Sequence, residues 1–117
     1  ARATQERVLA AARELRFTPD EHARGLWRQK TDTLGLVIPD VANPFFARIA
    51  RAVARAARGR GFAVLVQDTQ DDTGLEVASL DLLARRRVDG VILCPVGLAD
   101  GHLRRPPPGS PPVVLVD

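Results

Sequence analysis

Methionine is absent from the 117 residues, and cysteine occurs once, at Cys94. A natural full-length chain starts with methionine, so the sequence is expected to be a fragment or a processed chain. A lone cysteine forms no internal disulfide, which fits a reducing compartment such as the cytoplasm. No apolar run approaches the roughly 18 residues of a spanning helix, so no membrane partner is expected. Arg2, Glu6 and Arg7 interrupt any apolar stretch that could open a signal peptide. The common signatures of catalysis are missing as well. No G-x-G-x-x-G follows a strand-like run, and neither a Walker A loop nor a G-x-S-x-G elbow occurs. His22 and His102 are isolated, without metal-ligand spacing. No enzyme, cofactor or metal is therefore expected.

What is present is a globular composition, 45% hydrophobic and 26% charged, with an uneven distribution of charge. Residues 1–30 hold seven Arg/Lys against four Asp/Glu, and residues 31–117 hold ten against ten. The excess in the first quarter points to a polyanion contact there and a neutral module after it. A solvated helix accounts for the charge alone equally well.

The segment TQERVLAAARELRF reads as a helix. Thr4 suits the N-cap, and Val8, Ala11, Ala12 and Leu15 share a face. Thr18-Pro19 ends it. Residues 20–30 form a short amphipathic piece with Ala23, Leu26 and Trp27 on one side; a helix this short needs a partner to stay folded. From Thr33 the pattern alternates between strand and helix. LGLVIP (34–39) is a buried-type strand. Residues 44–60 read as a helix with Pro44 at N1, Gly61 at C′, and Phe46, Ile49, Val53, Ala56 and Ala57 as its inner stripe. FAVLV (62–66) is the second strand and QDTQDD a polar loop. Thr73 and Glu76 form a capping box opening a helix that runs to Arg87. Strands follow at 88–93 and 113–116. A short helix is expected around 98–105, and Pro106, Pro107 and Pro108 impose an extended connector. The fold class is α/β: a doubly wound parallel sheet, helices on both faces, right-handed crossovers.

Ligands of such sheets bind beyond the carboxyl ends of the strands, where strand order reverses. Those ends carry Asp40 with VANPFF, then Gln67-Asp68-Thr69, Cys94-Pro95 and Asp117. Phe45 and Phe46 open a helix, so one ring is expected to pack inward while the other faces the cleft. Asp68, Asp71 and Asp72 lack the glycine and distal glutamate of a calcium loop; a solvated loop with helix capping is the expected role. Cys94 suits a buried apolar position, and Arg85-Arg86-Arg87 suits a helix C-terminus.

The stretches TQERVLAAARELRFTPD, TDTLGLVIPDVANPFFA, RRVDGVILCP and PVVLVD occur in this order and resemble the LacI/GalR family of bacterial transcriptional repressors. The resemblance covers nearly the whole chain. It implies a regulator whose operator affinity is controlled by a small-molecule effector, sugar or purine-like, acting as a homodimer on operator DNA. On that comparison residues 1–17 are the last helix of a helix-turn-helix domain, 18–32 the hinge helix and linker, and 33–117 most of the first effector-binding subdomain. The recognition helix would lie upstream and the second subdomain downstream. Leu26 matches the hinge leucine that wedges into the minor groove, with Ala23 the small residue beside it and Arg24 and Arg28 set for phosphates or the groove edge. Phe45 and Phe46 match effector contacts, and Asn43, Asp68 and Asp117 match rim positions. Phe17, Arg16 and Asp20 depart from the family's usual Tyr, Gly and Asn, and the prolines of 106–112 are unusual. Gly25 lowers intrinsic hinge helicity by roughly 1 kcal/mol relative to alanine, which fits folding on DNA. A periplasmic-type sugar-binding protein without a DNA role is the alternative, disfavoured by the basic first thirty residues. A nucleotide-binding α/β enzyme ranks third, since it lacks a phosphate loop.

Overall fold

The structure, a computed structural model, describes residues 30–96 and 109–116. The helix expected at 4–17, the hinge residues Ala23, Arg24, Leu26, Trp27 and Arg28, the short helix at 98–105, the triple proline and Asp117 lie outside the described residues. Strands β1 (Thr33–Ile38), β2 (Ala63–Asp68), β3 (Gly90–Leu93) and β4 (Val113–Leu115) alternate with helices α1 (Pro44–Gly59) and α2 (Thr73–Arg85). Every pairing is parallel and the order is β2-β1-β3-β4. This is the doubly wound α/β sheet the alternating pattern predicts. The order reverses at β1, which has β2 on one side and β3 on the other.

The two helices cover opposite faces. Leu34, Leu36 and Ile38 pack with Ile49, Val53 and Ala57 of α1, joined by Ile92, Cys94 and Val116. Val37 turns the other way and packs with Val91, Leu93 and Val88 against Leu83 of α2. A strand covered on both faces needs apolar residues at successive positions rather than alternation. That is why LGLVI and GVIL read as continuous runs. Gly35 belongs to the α2 face, and a Cβ added there would stand 2.5 Å from Leu83 Cδ1 and 2.9 Å from Cδ2. The helix sits this close because residue 35 has no side chain.

Local chemistry fixes the helix ends. Asn43 caps α1 by accepting from Phe45 N–H, with Pro44 at the first helical position. At the other end Gly61 takes φ +79°, and Gly61 and Phe62 donate to the carbonyls of Arg58 and Ala57. That is the paired-bond C-terminal motif that favours glycine. α2 ends the same way without a glycine: Arg87 adopts φ +57°, and Arg87 and Val88 donate to Ala84 and Leu83.

Several boundaries differ from expectation. β2 begins at Ala63 and runs to Asp68, past the expected 66, because Gln67 and Asp68 pair with Val37 and Ile38. Backbone register with β1 outweighs side-chain polarity on this edge strand. α2 stops at Arg85, short of Arg87, where the chain turns left-handed. β3 begins at Gly90 rather than 88.

Leu83 is fully buried, so it has little room to yield to a new methyl group. Gly35→Ala is expected to lower unfolding stability by about 1–3 kcal/mol, measured by urea denaturation. Combined with Leu83→Ala, its cost should be clearly less than additive; strict additivity would contradict the close-approach explanation.

Candidate functional site

Beyond the carboxyl ends of the strands, three loops meet: residues 39–43 after β1, 69–72 after β2 and 94–96 after β3. In the first two, short polar side chains shape the backbone. Asp40 Oδ1 accepts from Ala42 N–H at 2.9 Å, Asn43 Oδ1 from Phe45 N–H at 2.9 Å, and Asp68 Oδ1 from Gln70 N–H at 3.1 Å. Each is a side-chain-closed turn of the kind Asp and Asn favour. Each also keeps a second polar atom, an oxygen of Asp40 and Asp68 and the amide of Asn43, for another partner.

The β2 loop is a tight turn. Gln70 and Asp71 both have positive φ, 54° and 56°, and Asp72 N–H returns to Thr69 O at 2.9 Å, the geometry of a type I′ turn. Non-glycine residues held left-handed cost about 1 kcal/mol each. Bonds to the β1 end sustain the turn: Thr69 N–H and Asp71 N–H donate to Ile38 O and Pro39 O. The buried Thr69 hydroxyl donates to Ile38 O as well. The two loops therefore form one connected rim.

The aromatic pair divides at the helix start. Phe46 packs against the α1-side core, while Phe45 is 43% exposed. Their rings meet edge to face, with centroids 5.1 Å apart and planes at 84°, so Phe46 supports Phe45 from below. Asn43, Phe45, Phe46 and Asp68 thus lie on the rim formed by neighbouring β1 and β2. Asp117, like the hinge residues, lies outside the described residues. Asp72 caps α2, accepting from Leu75 N–H at 3.1 Å, which is the capping role foreseen for this loop. Cys94 is buried, and burial pushes its thiol up to about 11. It stays protonated near neutral pH and serves as a small apolar residue.

The expected capping box does not form. Thr73 is the first residue of α2, with Asp72 as its cap, and Glu76 turns inward instead. It is 1% exposed, and its Oε2 accepts from Val96 N–H at 2.7 Å. This bond joins α2 to the loop after β3, so Glu76 holds the third arm of the rim. Glu76, Ser79 and Leu83 are all buried and share one helical face by spacing, which places the carboxyl inside rather than at the helix start.

The opposite end of the sheet has its own polar clasp, which the sequence does not reveal. The Asp89 carboxylate accepts from Thr31 N–H at 3.0 Å, Thr31 Oγ1 at 3.2 Å and Asp32 N–H at 2.9 Å. Asp32 O also accepts from Ala63 N–H, and Asp89 N–H donates to Thr33 O. The chain leading into β1 is thereby held to both neighbouring strands. No described helix is long and apolar enough to cross a membrane.

Residues 31–117 match the family described as periplasmic binding proteins and sugar binding domain of LacI family. A protein named ribose operon repressor, from Halalkalibacterium halodurans, is 40% identical over 89 residues, covering 76% of this chain and 27% of the relative. The fructose operon regulatory protein of Vibrio cholerae is 29% identical over 115 residues, covering 97% of this chain and 35% of the relative. Among solved structures, the Cra transcriptional dual regulator of Pseudomonas putida in complex with fructose 1-phosphate superposes with a TM-score of 0.67. It is 31% identical, over 73% of this chain and 32% of that one. The chain therefore spans about a third or less of the length of these relatives.

Glu76→Ala leaves a buried N–H without its partner, so it should cost about 1–3 kcal/mol of stability and speed amide exchange at Val96. Glu76→Gln keeps an acceptor oxygen and should cost less. Hydrogen exchange read at residues 94–96 checks this; unchanged protection in Glu76→Ala would contradict the role given to Glu76.

Proposed function

The chain belongs to the LacI family, within its periplasmic-binding-protein and sugar-binding domain, and from that membership we propose that it is the linker and first effector-binding subdomain of a DNA-binding transcriptional repressor. The observation that carries the proposal is the extent of the family match. It begins at residue 31, where the linker meets the sheet, and it includes the whole polar rim. The division into residues 1–17, 18–32 and 33–117 belongs to the same proposal. Similarity to a fructose operon regulatory protein over 97% of this chain supports it against the periplasmic alternative, because that similarity extends upstream of the sugar-binding module.

On this reading Phe45 supplies an apolar ring for the ligand, while Asn43 and Asp68, with Asp117, hydrogen-bond its polar groups. Phe46 acts mainly by supporting Phe45. A sugar fits the described rim well. Carboxylates accept hydroxyl hydrogen bonds, and the loops 39–43, 69–72 and 94–96 carry no Lys or Arg to attract a phosphate. A purine-like ligand is the second class to test. At the linker, Leu26 wedges into the minor groove, Ala23 leaves room beside it, and Arg24 and Arg28 meet phosphates. An apolar wedge unstacks a base step at a cost of a few kcal/mol, offset by contacts to the bent duplex. The protein acts in the cytoplasm as a homodimer on a near-palindromic operator. The exposed Leu65 and Val66 of edge strand β2 offer apolar surface for pairing. Effector controls DNA binding by having different affinities for the DNA-competent and incompetent states.

The test uses the full-length parent protein. Leu26→Ala should weaken operator binding by about tenfold or more. Calorimetric affinity for a panel of D-ribose, fructose 1-phosphate and a purine base should stay within about twofold of the unsubstituted protein. Unchanged operator affinity contradicts the hinge assignment, and a panel without any binder contradicts the effector assignment.

A further inference from the structure

The two ends of the sheet differ in the charges that their loops and helix termini carry. Asp40, Asp68, Asp71 and Asp72 lie toward the carboxyl ends of the strands. At the opposite end, where the linker enters, α1 terminates with Arg58 and Arg60, and α2 with Arg85, Arg86 and Arg87. All five arginines are exposed, and among the described residues none has an ion-pair partner. Asp81 lies one helical turn before Arg85, and Asp32 and Asp89 lie at the same end of the sheet, where the Asp89 carboxylate is occupied by the N–H groups of Thr31 and Asp32. Arg87 and the segment after Arg60 adjoin that junction. Thr31 Oγ1 donates to Arg87 O, and Ala63, just beyond Arg60, donates to Asp32 O.

Helix dipoles explain only part of this. Arg58 and Arg85 lie in the last turns of their helices, where a cation is favourable. Arg60, Arg86 and Arg87 lie past the last helical residues. Arg87 in addition holds φ +57°, a position where glycine is more stable, as Gly61 shows at the end of α1.

We propose that this linker-side face, Arg58, Arg60, Arg85, Arg86 and Arg87, is a second DNA-binding surface that docks on the phosphates flanking the hinge site. The inference rests on the reading of Leu26 as the minor-groove wedge. From Leu26 to Thr31 is a step of five residues, a tether of at most about 18 Å when fully extended. The minor groove is about 7.5 Å deep, so its phosphate ridges stand within roughly 10 Å of the end of that tether. This is close to the screening length of about 8 Å at physiological salt, and long arginine side chains close the rest. Such phosphate binding positions the core and adds salt-dependent affinity without reading sequence.

The experiment uses the full-length protein and two variants, R58Q/R60Q/R85Q/R86Q and Arg87→Gly. Binding to operator and to non-operator duplex is measured across a salt series, alongside thermal unfolding. The slope of log affinity against log salt should fall by about 0.9 for each phosphate that is no longer neutralised, hence by up to about 3.6 in the quadruple variant. The ratio of operator to non-operator affinity and the sugar affinity should not move. Arg87→Gly should unfold at a higher temperature and yet bind DNA with a slope lower by about 1; a merely structural arginine would not produce that pairing. Unchanged slopes in both variants overturn the proposal while Leu26→Ala still reports on the hinge. Unchanged slopes together with weaker binding of an acidic protein partner overturn it in favour of that partner. If the unsubstituted protein shows no salt-dependent DNA binding, the repressor reading fails and this proposal fails with it.

Discussion

A strand buried on both faces can carry polar chemistry only at its two ends. β1 is such a strand: Leu36, Val37 and Ile38 are completely excluded from solvent, between α1 on one side and α2 on the other. Strand order reverses at β1, so both crossovers leave from its neighbourhood and the polar loops gather at its carboxyl end. The remaining organisation follows from this burial. The rim of Asp40, Asn43, Phe45 and Asp68 takes one end, and the Thr31–Asp89 junction takes the other. Gly35 lets α2 close against the strand, keeping the rod between the two ends free of polar groups.

The two ends are tied down differently. At the rim, side chains bend their own loops, and the β2 turn accepts left-handed backbone at Gln70 and Asp71 in return for bonds to Ile38 and Pro39. Glu76 adds the third arm through Val96. At the base, a single carboxylate, Asp89, gathers the backbone of the incoming chain. Close-packed interiors shift between discrete arrangements rather than deforming continuously. On the proposed reading, effector at the rim therefore moves the linker by displacing the subdomain as a unit, a rigid-body transition. The cationic face at the base would move with it, so that hinge and core engage or leave DNA together.

Much of this architecture is legible in the residues. The apolar runs of β1 and β3, Pro44 at a helix start and Gly61 at its end are local signals with direct physical causes, and the structure follows them. The extension of β2 to Asp68 is not legible, because pairing with β1 decides it and polar side chains disguise it. Glu76 misleads because a Thr-x-x-Glu spacing at a helix start has two solutions, and only the fold shows that the β3 loop supplies a buried partner. Asp89 is hidden for a similar reason: its partners lie more than fifty residues away in sequence. Phe45 and Phe46 are recognisable as a pair, and the packing of Phe46 on the α1 face separates their roles.

Coupling between the two ends is the central claim, and thermodynamic linkage tests it most directly. The affinity of the tightest-binding sugar should be measured calorimetrically on the full-length protein, free and saturated with operator DNA. Because linkage is reciprocal, operator should change sugar affinity by at least about fivefold, matching the factor by which that sugar changes operator affinity. Identical sugar affinity in the two states would contradict it.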